Sequence, residues 1–600
     1  MAGKTIDFNE LVGDLRDGMA AIIAQHYQEW EALRMPWAQQ KQELRNYLFA
    51  TDTSTTSNKA LPWKNSTTMP KLTQIRDNLH SNYMAALFPT EDWLRWEGDN
   101  RNDELEAKRN AIQNYMRTKL RQDRAEVKIG QLLLDWIDNG NCFGTAIWVD
   151  ESTVDEQGNV TRGYVGPRIV RIPFQDLVFN PVVANFEEAP KIHRVLKNIG
   201  ELVDEADGMP VGSDEYNMMQ LALNKGMEIR QQVSMMSQGD SLKSDAFSLD
   251  GFSSLQQYFG SNYVELLTFY GDMYDAQNKK FYKNYQITVM DRAFVVGMKP
   301  NPNWTSHAGI FHAGWRQRPD NLYAMGPLDN LVGLQYRIDH LENLRADVFD
   351  MIAYPMVKRK GYVEDFNFMP GMQVNVGDEG DVEFLHPPHE ALAADNQIDI
   401  ITARMEEMVG APKEAMGIRT PGEKTKFEVQ KLDNAASRIF QNKIEHFQKV
   451  FLEPLLNYML QLARRNMASD DVTRTTSSEL DAVIFSTITK DDIVANGVLR
   501  PIGAQHYADR ANALQNLVAI LNSPAGADPT VMVHISGKNL AKALIDLADM
   551  SKYNLYGENI RVLENSQTQK LMAAASEQTE IQAATPAGIT EGDPDSGPVS

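Results

Sequence analysis

Apolar residues recur at steps of three and four along several stretches of the chain, and the longest such pattern lies in its middle. Over 329–352 they fall at Leu331, Leu334, Ile338, Leu341, Leu344, Val348 and Ile352. That spacing puts one apolar stripe on a helix of about 24 residues, roughly 36 Å long. Pro327 suits the helix start, and Tyr354-Pro355 stops it, because a residue before proline is pushed out of the α region. The pattern returns at Ala391, Ala394, Ile398, Ile401, Met405 and Met408, and Gly410 with Pro412 ends it. Between the two helices, short strands are expected at 356–360, 372–376 and 382–385, separated by Pro370-Gly371 and the turn 377–380. Two long helices joined by a small β insert have the form of a stalk.

Elsewhere the same reading predicts helices over 8–48, 71–88 and 103–138, with Leu11, Leu15, Met19, Ile22 and Ile23 on a buried face of the first. The stretch 51–70 is rich in Ser, Thr and Pro and reads as an extended arm lying on a neighbouring subunit. Strands follow over 144–151 and 160–179, and again over 263–274, 280–290 and 294–298. Residues 204–262 shift to Gly, Ser, Met and Asp, as in a surface insertion with one short helix. A third long helix starts near Thr425 and carries Phe427, Leu432, Ala436, Ile439, Phe440, Phe447, Val450 and Phe451 at helical spacing. Pro454 predicts a kink or boundary near Glu453. A strand over 482–488 and helices over 504–521 and 538–550 come next, and the Gln/Ala/Thr-rich tail 565–600 reads as disordered.

Charge sharpens the middle segment. Over 329–352, Asp329, Asp339, Glu342, Asp347 and Asp350 stand against Arg337 and Arg345, a net of −3. Over 389–409, Glu390, Asp395, Asp399, Glu406 and Glu407 stand against Arg404, a net of −4. The Gly/Pro-broken stretch 410–426 reverses the sign, with Lys413, Arg419, Lys424 and Lys426 against Glu414 and Glu423. An acidic stalk tipped by a basic loop suits a polyanion that passes without sticking, since each paired phosphate adds salt-dependent affinity. The same charges would equally serve to solvate outer helix faces.

Three segments resemble the portal, or head-to-tail connector, proteins of tailed bacteriophages. They are GPLDNLVGLQYRIDHLENLRADVFDMIAYP (326–355), EEMVGAPKEAMGIRTPGEKTKFEVQKLDNAASRIFQNKIEHFQKVFLEPLL (406–456), and DWIDNGNCFGTAIWVD with GPRIVRIPFQDLVFNPVV (135–150 and 166–183). The resemblance runs over roughly four fifths of the chain and rests on the order of elements. It implies an α+β, predominantly α-helical subunit with a wing, stem, clip and crown arrangement in a closed ring. The implied divisions are an N-terminal region and α/β wing over 1–325, stem helices over 326–354 and 389–409, and a clip over 355–388. A tunnel loop over 410–424, a long kinked helix and wing return over 425–523, and crown-like helices over 524–564 complete the order.

On this resemblance the tunnel-loop residues Lys413, Arg419, Lys424 and Lys426 touch DNA phosphates. Glu342, Asp347, Asp395 and Asp399 make the stem acidic, and Lys358, Arg359 and Lys360 serve docking at the clip. Those three cations could as well protect a solvated strand edge. The implied partners are further copies of the chain, as a dodecamer, and double-stranded DNA passing through the channel. The large subunit of the terminase, the major capsid protein and a tail adaptor complete the set. The implied location is the portal vertex of the virion, reached from the host cytoplasm, with no membrane and no cofactor.

Composition limits the alternatives. At 600 residues with 42% hydrophobic content the chain exceeds one core and is expected to form several sub-domains. Its single cysteine, Cys142, excludes an internal disulfide, and its N-terminus reads as acidic rather than as a signal sequence. A net charge of −22 argues against gripping DNA over the whole surface. Enzyme readings are weak. Gly417 to Thr425 nearly matches the phosphate-cradling loop of a packaging ATPase, but Glu423 is inserted before Lys424 and no strand enters the loop. His386 and His389 lack a third metal ligand nearby, Cys142 reads as a small buried thiol, and Gly140 and Gly144 as turn residues. Trp63, Trp93 and Trp96 read as core or interface anchors. The remaining alternative is a scaffold or assembly protein with no channel.

Overall fold

The computed structural model describes residues 17–502 apart from 236–256, 303–307, 366–372, 386–393, 410–439, 477–482 and a scatter of shorter breaks; beyond 502 it describes only positions between 513 and 545. The chain mixes helix and strand, with helix the larger share. It falls into two compact units, Met1–Thr473 with Thr487–Ala504, and Arg474–Ser486 with Gln505–Ser600. In the second unit the described residues are strand at 474–476 and 483–486 and helical within 513–521 and 540–545, the latter inside the two helices the periodicity predicts there.

The first unit opens with α1 (Asp17–Phe49), α2 (Lys71–Leu87), β1 (Leu94–Gly98), α3 (Glu106–Gln122) and α4 (Ala125–Asp138). Residues 103–138, expected as one helical stretch, break at Arg124, whose φ of 53° is left-handed. The break places the buried Asp123 carboxylate against Lys128 Nζ at 2.5 Å, Arg168 Nε at 3.2 Å and the Ile169 amide at 3.1 Å. Three donors on one carboxylate outweigh the modest cost of one left-handed residue.

Strands β2 (Asn141–Asp150), β3 (Thr153–Val154), β4 (Val160–Thr161), β5 (Val165–Ile172), β6 (Leu177–Phe179) and β7 (Lys191–Asn198) follow. Then come α5 (Ile199–Asp207), α6 (Asp214–Met235), β8 (Tyr263–Asp275), β9 (Lys280–Met290), β10 (Phe294–Pro300), β11 (Ile310–Gly314), β12 (Arg316–Arg318) and β13 (Asn321–Met325). Strands β10-β9-β8-β7-β6 form one antiparallel sheet and β11-β2-β5 another. Alternation along β8 divides the five-stranded sheet between two cores. Leu267 and Phe269 pack with Met19, Ile23 and Tyr27 of α1, and Val264 and Leu266 pack with Leu202 of α5 and Met219 and Leu223 of α6. The insertion is therefore not a single short helix. Helix α6 runs 22 residues, and its Arg230 reaches the buried Asp291 at 3.1 Å.

The remaining elements are α7 (Val332–Ala353), β14 (Met356–Lys360), β15 (Asp381–Leu385), α8 (Ala394–Val409), α9 (Glu453–Asn466), β16 (Asp471–Thr476), β17 (Val483–Ile488), α10 (Lys490–Ile493) and β18 (Gly497–Pro501). Residues 440–447 are helical and continue into α9 through a π-helical turn, Gln448–Leu452, where the Glu453 amide donates to the Gln448 carbonyl. Pro454 lacks an amide hydrogen and crowds the carbonyl four residues back, so one wide turn takes up the mismatch. The largest core gathers Ile338 of α7, Ile398, Ile401, Met405 and Val409 of α8, and Phe447, Phe451 and Leu455 of the long helix around Trp136 and Leu132 of α4. Trp93 and Trp96 belong to this core, and Trp63 lies outside the described residues. Gly140 has a φ of +71°, and a Cβ there would lie 2.3 Å from the Gly326 amide; Gly144 instead sits in β2, where a Cβ would meet the Phe451 ring at 2.9 Å. The first serves a turn, as expected, and the second serves close packing.

Candidate nucleic-acid interface

Helices α7 and α8 carry the hairpin β14–β15 between them, in the order the periodicity predicts. In the hairpin Met356 pairs with Leu385, Lys358 with Glu383 and Lys360 with Asp381. The third strand expected there, 372–376, is reduced to a single bridge between Val363 and Val376 among the described residues. Of the ten hairpin residues only Val357 and Val382 are even half-buried. Lys358 pairs with Glu383 at 2.9 Å, Arg359 with Asp365 at 2.6 Å, and Lys360 is exposed. Large apolar side chains nevertheless lie open along this module, among them Phe349, Tyr354, Met356, Tyr362, Phe384, Ile400 and Met408. Met408 was expected on the buried stripe of α8. Its place is taken by Val409, because 398, 401, 405 and 409 follow 3.6 residues per turn more closely.

The buried side of α7 is not the apolar stripe alone. Gln335, Asp339 and Asn343 are buried together with Leu331, Ile338 and Val348, whereas Leu334, Leu341, Leu344 and Ile352 are only half-buried. The polar residues form a ladder at i+4 spacing that holds the end of the Ser/Thr-rich arm. The Asn65 amide donates to Asp347 at 3.0 Å, the Thr67 amide to Asn343 at 2.8 Å, the Met69 amide to Asp339 at 2.9 Å and the Leu72 amide to Gln335 at 3.2 Å. Asn343 Nδ2 returns a bond to the Thr67 carbonyl at 2.9 Å. Four helical residues rise about 6 Å and two extended residues about 6.6 Å, so alternate amides of an extended segment find successive rungs. The described end of the arm thus lies along α7 of its own chain. Burial pushes the Asp339 carboxyl up to about 6, against the lowering effect of the Met69 amide and the Gln335 side chain.

The four acids singled out for the stem have different surroundings. Asp347 is engaged by Asn65 through both its backbone amide and its side chain. Glu342 pairs with Arg345 at 2.6 Å, and Arg345 also reaches across to Asp395 of α8. Asp399 is exposed on α8. Glu406, by contrast, is buried and bonded to Lys71 at 2.5 Å. Lys413, Arg419, Lys424 and Lys426 lie outside the described residues, as do His386, His389 and the near-match to a phosphate loop at Gly417 to Thr425.

Sequence searches give no relative to set beside this geometry. The chain matches no known protein family and no curated protein. What the molecule can do therefore rests on its own residues.

Cys142 is buried and its thiol reaches the Ala313 carbonyl; burial holds its pKa well above the usual thiol range, so it is no nucleophile. Among the described residues no group of three or more His, Cys, Asp or Glu is placed to hold a metal ion. A cavity of about 340 Å³ between α1, α2 and α4 is lined by Lys41, Arg45, Arg76, Asp135, Asp138 and Arg171. Three of its four cations are tied internally, Arg76 to Asp138 at 2.6 Å, Lys41 to Asp329 at 2.5 Å and Arg171 to Asp135, and Arg45 is exposed. Such closed pairs hold helices together and leave little to recognise a ligand.

A second group of cations was not among the sequence-level candidates. Trp315 is buried at the start of β12, with the Arg316 guanidinium 5.4 Å and the Lys443 ammonium 4.3 Å from its ring centre. Lys443 donates to the Trp315 carbonyl, and Arg318 donates to the Tyr323 carbonyl at 2.8 Å. The tetrapeptide Trp-Arg-Gln-Arg at 315–318 is visible in the sequence, but the approach of Lys443 from 128 residues away is not.

Proposed function

We propose that this chain is a non-enzymatic subunit of a ring-shaped channel through which double-stranded DNA passes, of the portal type that its sequence resembles. The observation that carries the reading is the module α7–β14–β15–α8. A two-stranded hairpin with almost no buried residue is marginal in water by itself. This one also exposes Met356, Phe384 and Leu385, beside Tyr354 at 75% and Tyr362 at 79% exposure. Large apolar side chains exposed together on one small module suit a protein contact. Repeated contacts between unlike faces of identical copies close into a ring when the rotation allows it. The acids of α7 and α8 then give the ring an electronegative stem that DNA can traverse without adhering.

Within this reading Lys413, Arg419, Lys424 and Lys426 contact phosphates as positioning groups, and the exposed Lys360 with its neighbours on β14 meets a packaging motor or a tail adaptor. The capsid vertex is the corresponding location. The experiment is a mass measurement of the full-length protein in solution combined with negative-stain imaging. A closed ring of about twelve copies is expected. A monomer, or a polydisperse assembly without a central opening, would overturn the channel and favour a scaffold.

A further inference from the structure

Several interior cations in this protein are answered by carboxylates. Lys71 has Glu406, Lys119 has Asp471, Arg230 has Asp291, and Arg194 and Arg292 share Glu265. The cluster around Trp315 is not answered in this way. It shares this with Lys191, which donates to the Phe186 and Glu187 carbonyls beside the Phe186 ring, but Lys191 is buried whereas this cluster opens to the surface through Arg316 and Arg318. Among the described residues, Arg316, Arg318 and Lys443 form no ion pair; their contacts are the Trp315 ring and two backbone carbonyls. Asp320 is exposed in the turn between β12 and β13, and Glu445, close to Lys443 in sequence, pairs with Lys449 at 3.5 Å. Arg316 and Arg318 are exposed, while Lys443 is half-buried and faces Arg316 closely enough that the two cations repel. Burial first and Arg316 second hold the Lys443 ammonium below the usual lysine range. An unneutralised, partly desolvated cation beside another cation is unfavourable in the free chain, and an anion would relieve it.

We propose that Arg316 and Lys443, both held against the Trp315 ring and supported by Arg318, form a phosphodiester contact site for double-stranded DNA. This rests on the channel reading for its choice of polyanion. The guanidinium supplies a planar fork for phosphate oxygens and the ammonium a point charge, and the indole fixes both without neutralising either. The contacts address the backbone, so the site binds without reading sequence. In a chain of net charge −22 a local site of this kind positions DNA without gripping it along its length.

The test is fluorescence anisotropy of a short labelled DNA duplex with the full-length protein across a salt series. The comparison is wild type, Arg316→Gln with Lys443→Gln, the single exposed change Arg316→Glu, and a charge-matched control, Lys197→Gln with Lys299→Gln. Losing two phosphate contacts should lower the slope of log affinity against log salt by about 2, and weaken binding roughly tenfold near 0.1 M salt. Arg316→Glu should weaken binding at least as much as losing one contact, and it covers the case in which the Lys443 change disturbs the fold. Equal affinity and slope in the Arg316 variants overturns the site, as does an equal loss in the control or no duplex binding by wild type at low salt. Because assembly is measured separately by mass, a ring that forms without these contacts leaves the channel reading standing. Binding that depends on them in a chain that forms no ring does the reverse.

Discussion

At the scale of single residues, Asp339 shows how a polar position in an apolar pattern changes meaning once it is buried. It sits on the helix face that meets the arm, has no exposed surface, and accepts from Met69 and Gln335. Its carboxyl is raised to about 6 from the ordinary 3.8, so the folded state holds a proton that the unfolded chain releases near pH 4. Its stabilising contribution is therefore full below about pH 4, declines as pH rises to about 6, and is flat above. Asp339→Asn keeps an oxygen for the Met69 amide and removes the ionisation. The variant should gain on the order of 1–2 kcal/mol relative to wild type between pH 4 and 7. Denaturant unfolding at four pH values checks this; parallel curves for the two proteins would show that Asp339 is charged without penalty. Asp347, by contrast, is only partly buried, and it holds Asn65 through two hydrogen bonds, so its charge is tied to the arm.

At the scale of elements, the hairpin β14–β15 and its flanking helices form the part of the described chain that is least complete by itself. Met356 and Leu385 are directly paired, and both are exposed, at 56% and 40%. Replacing both by serine removes apolar surface that the single chain does not bury. Secondary structure and the unfolding midpoint of the isolated chain should therefore stay within about 0.5 kcal/mol of wild type, the usual range for surface changes. The assembled mass should fall. A variant that assembles fully would show that this hairpin contributes nothing to contacts between copies. The kink at Pro454 belongs to the same scale: a missing amide hydrogen forces a local departure from the α-helix, and the tertiary packing of Phe451 and Leu455 decides that the departure is a π turn rather than a break.

At the scale of the whole molecule, electrostatics divides the stem acids into two groups. Glu342, Asp347 and Asp395 answer cations or backbone amides within the chain, whereas Asp399 and Glu407 are exposed on α8. If the chain forms the proposed channel, reversing Asp399 and Glu407 to lysine should leave folding and assembly unchanged while slowing DNA passage, because only the field of that channel would be altered. Reversing Asp347 alone should instead release the arm and destabilise the chain by about 1–3 kcal/mol through the unsatisfied Asn65 amide. Packaged DNA length together with unfolding midpoints separates the two. Full-length packaging at normal rate by the α8 variant would mean that these acids merely solvate a helix.

The sequence by itself determined the elements. Periods of 3.6 and 2 located α7, α8, the paired strands of the hairpin and most strands of the two larger sheets, because backbone geometry fixes which residues share a face, but they missed β7 and β11. Pro454 placed the departure in the long helix, and the −22 charge argued against gripping DNA over the whole surface. Tertiary structure decided what each polar face meets. No periodicity distinguishes a solvated glutamine, aspartate and asparagine from a buried ladder, since the partner is a backbone segment some 270 residues away that donates through its amides whatever its side chains are. Nor does local sequence reveal the break at Arg124, which depends on donors from β5 reaching Asp123. The meeting of Arg316 and Lys443 on one indole is likewise a product of chain distant in sequence folding together, and spacing alone carries no record of it.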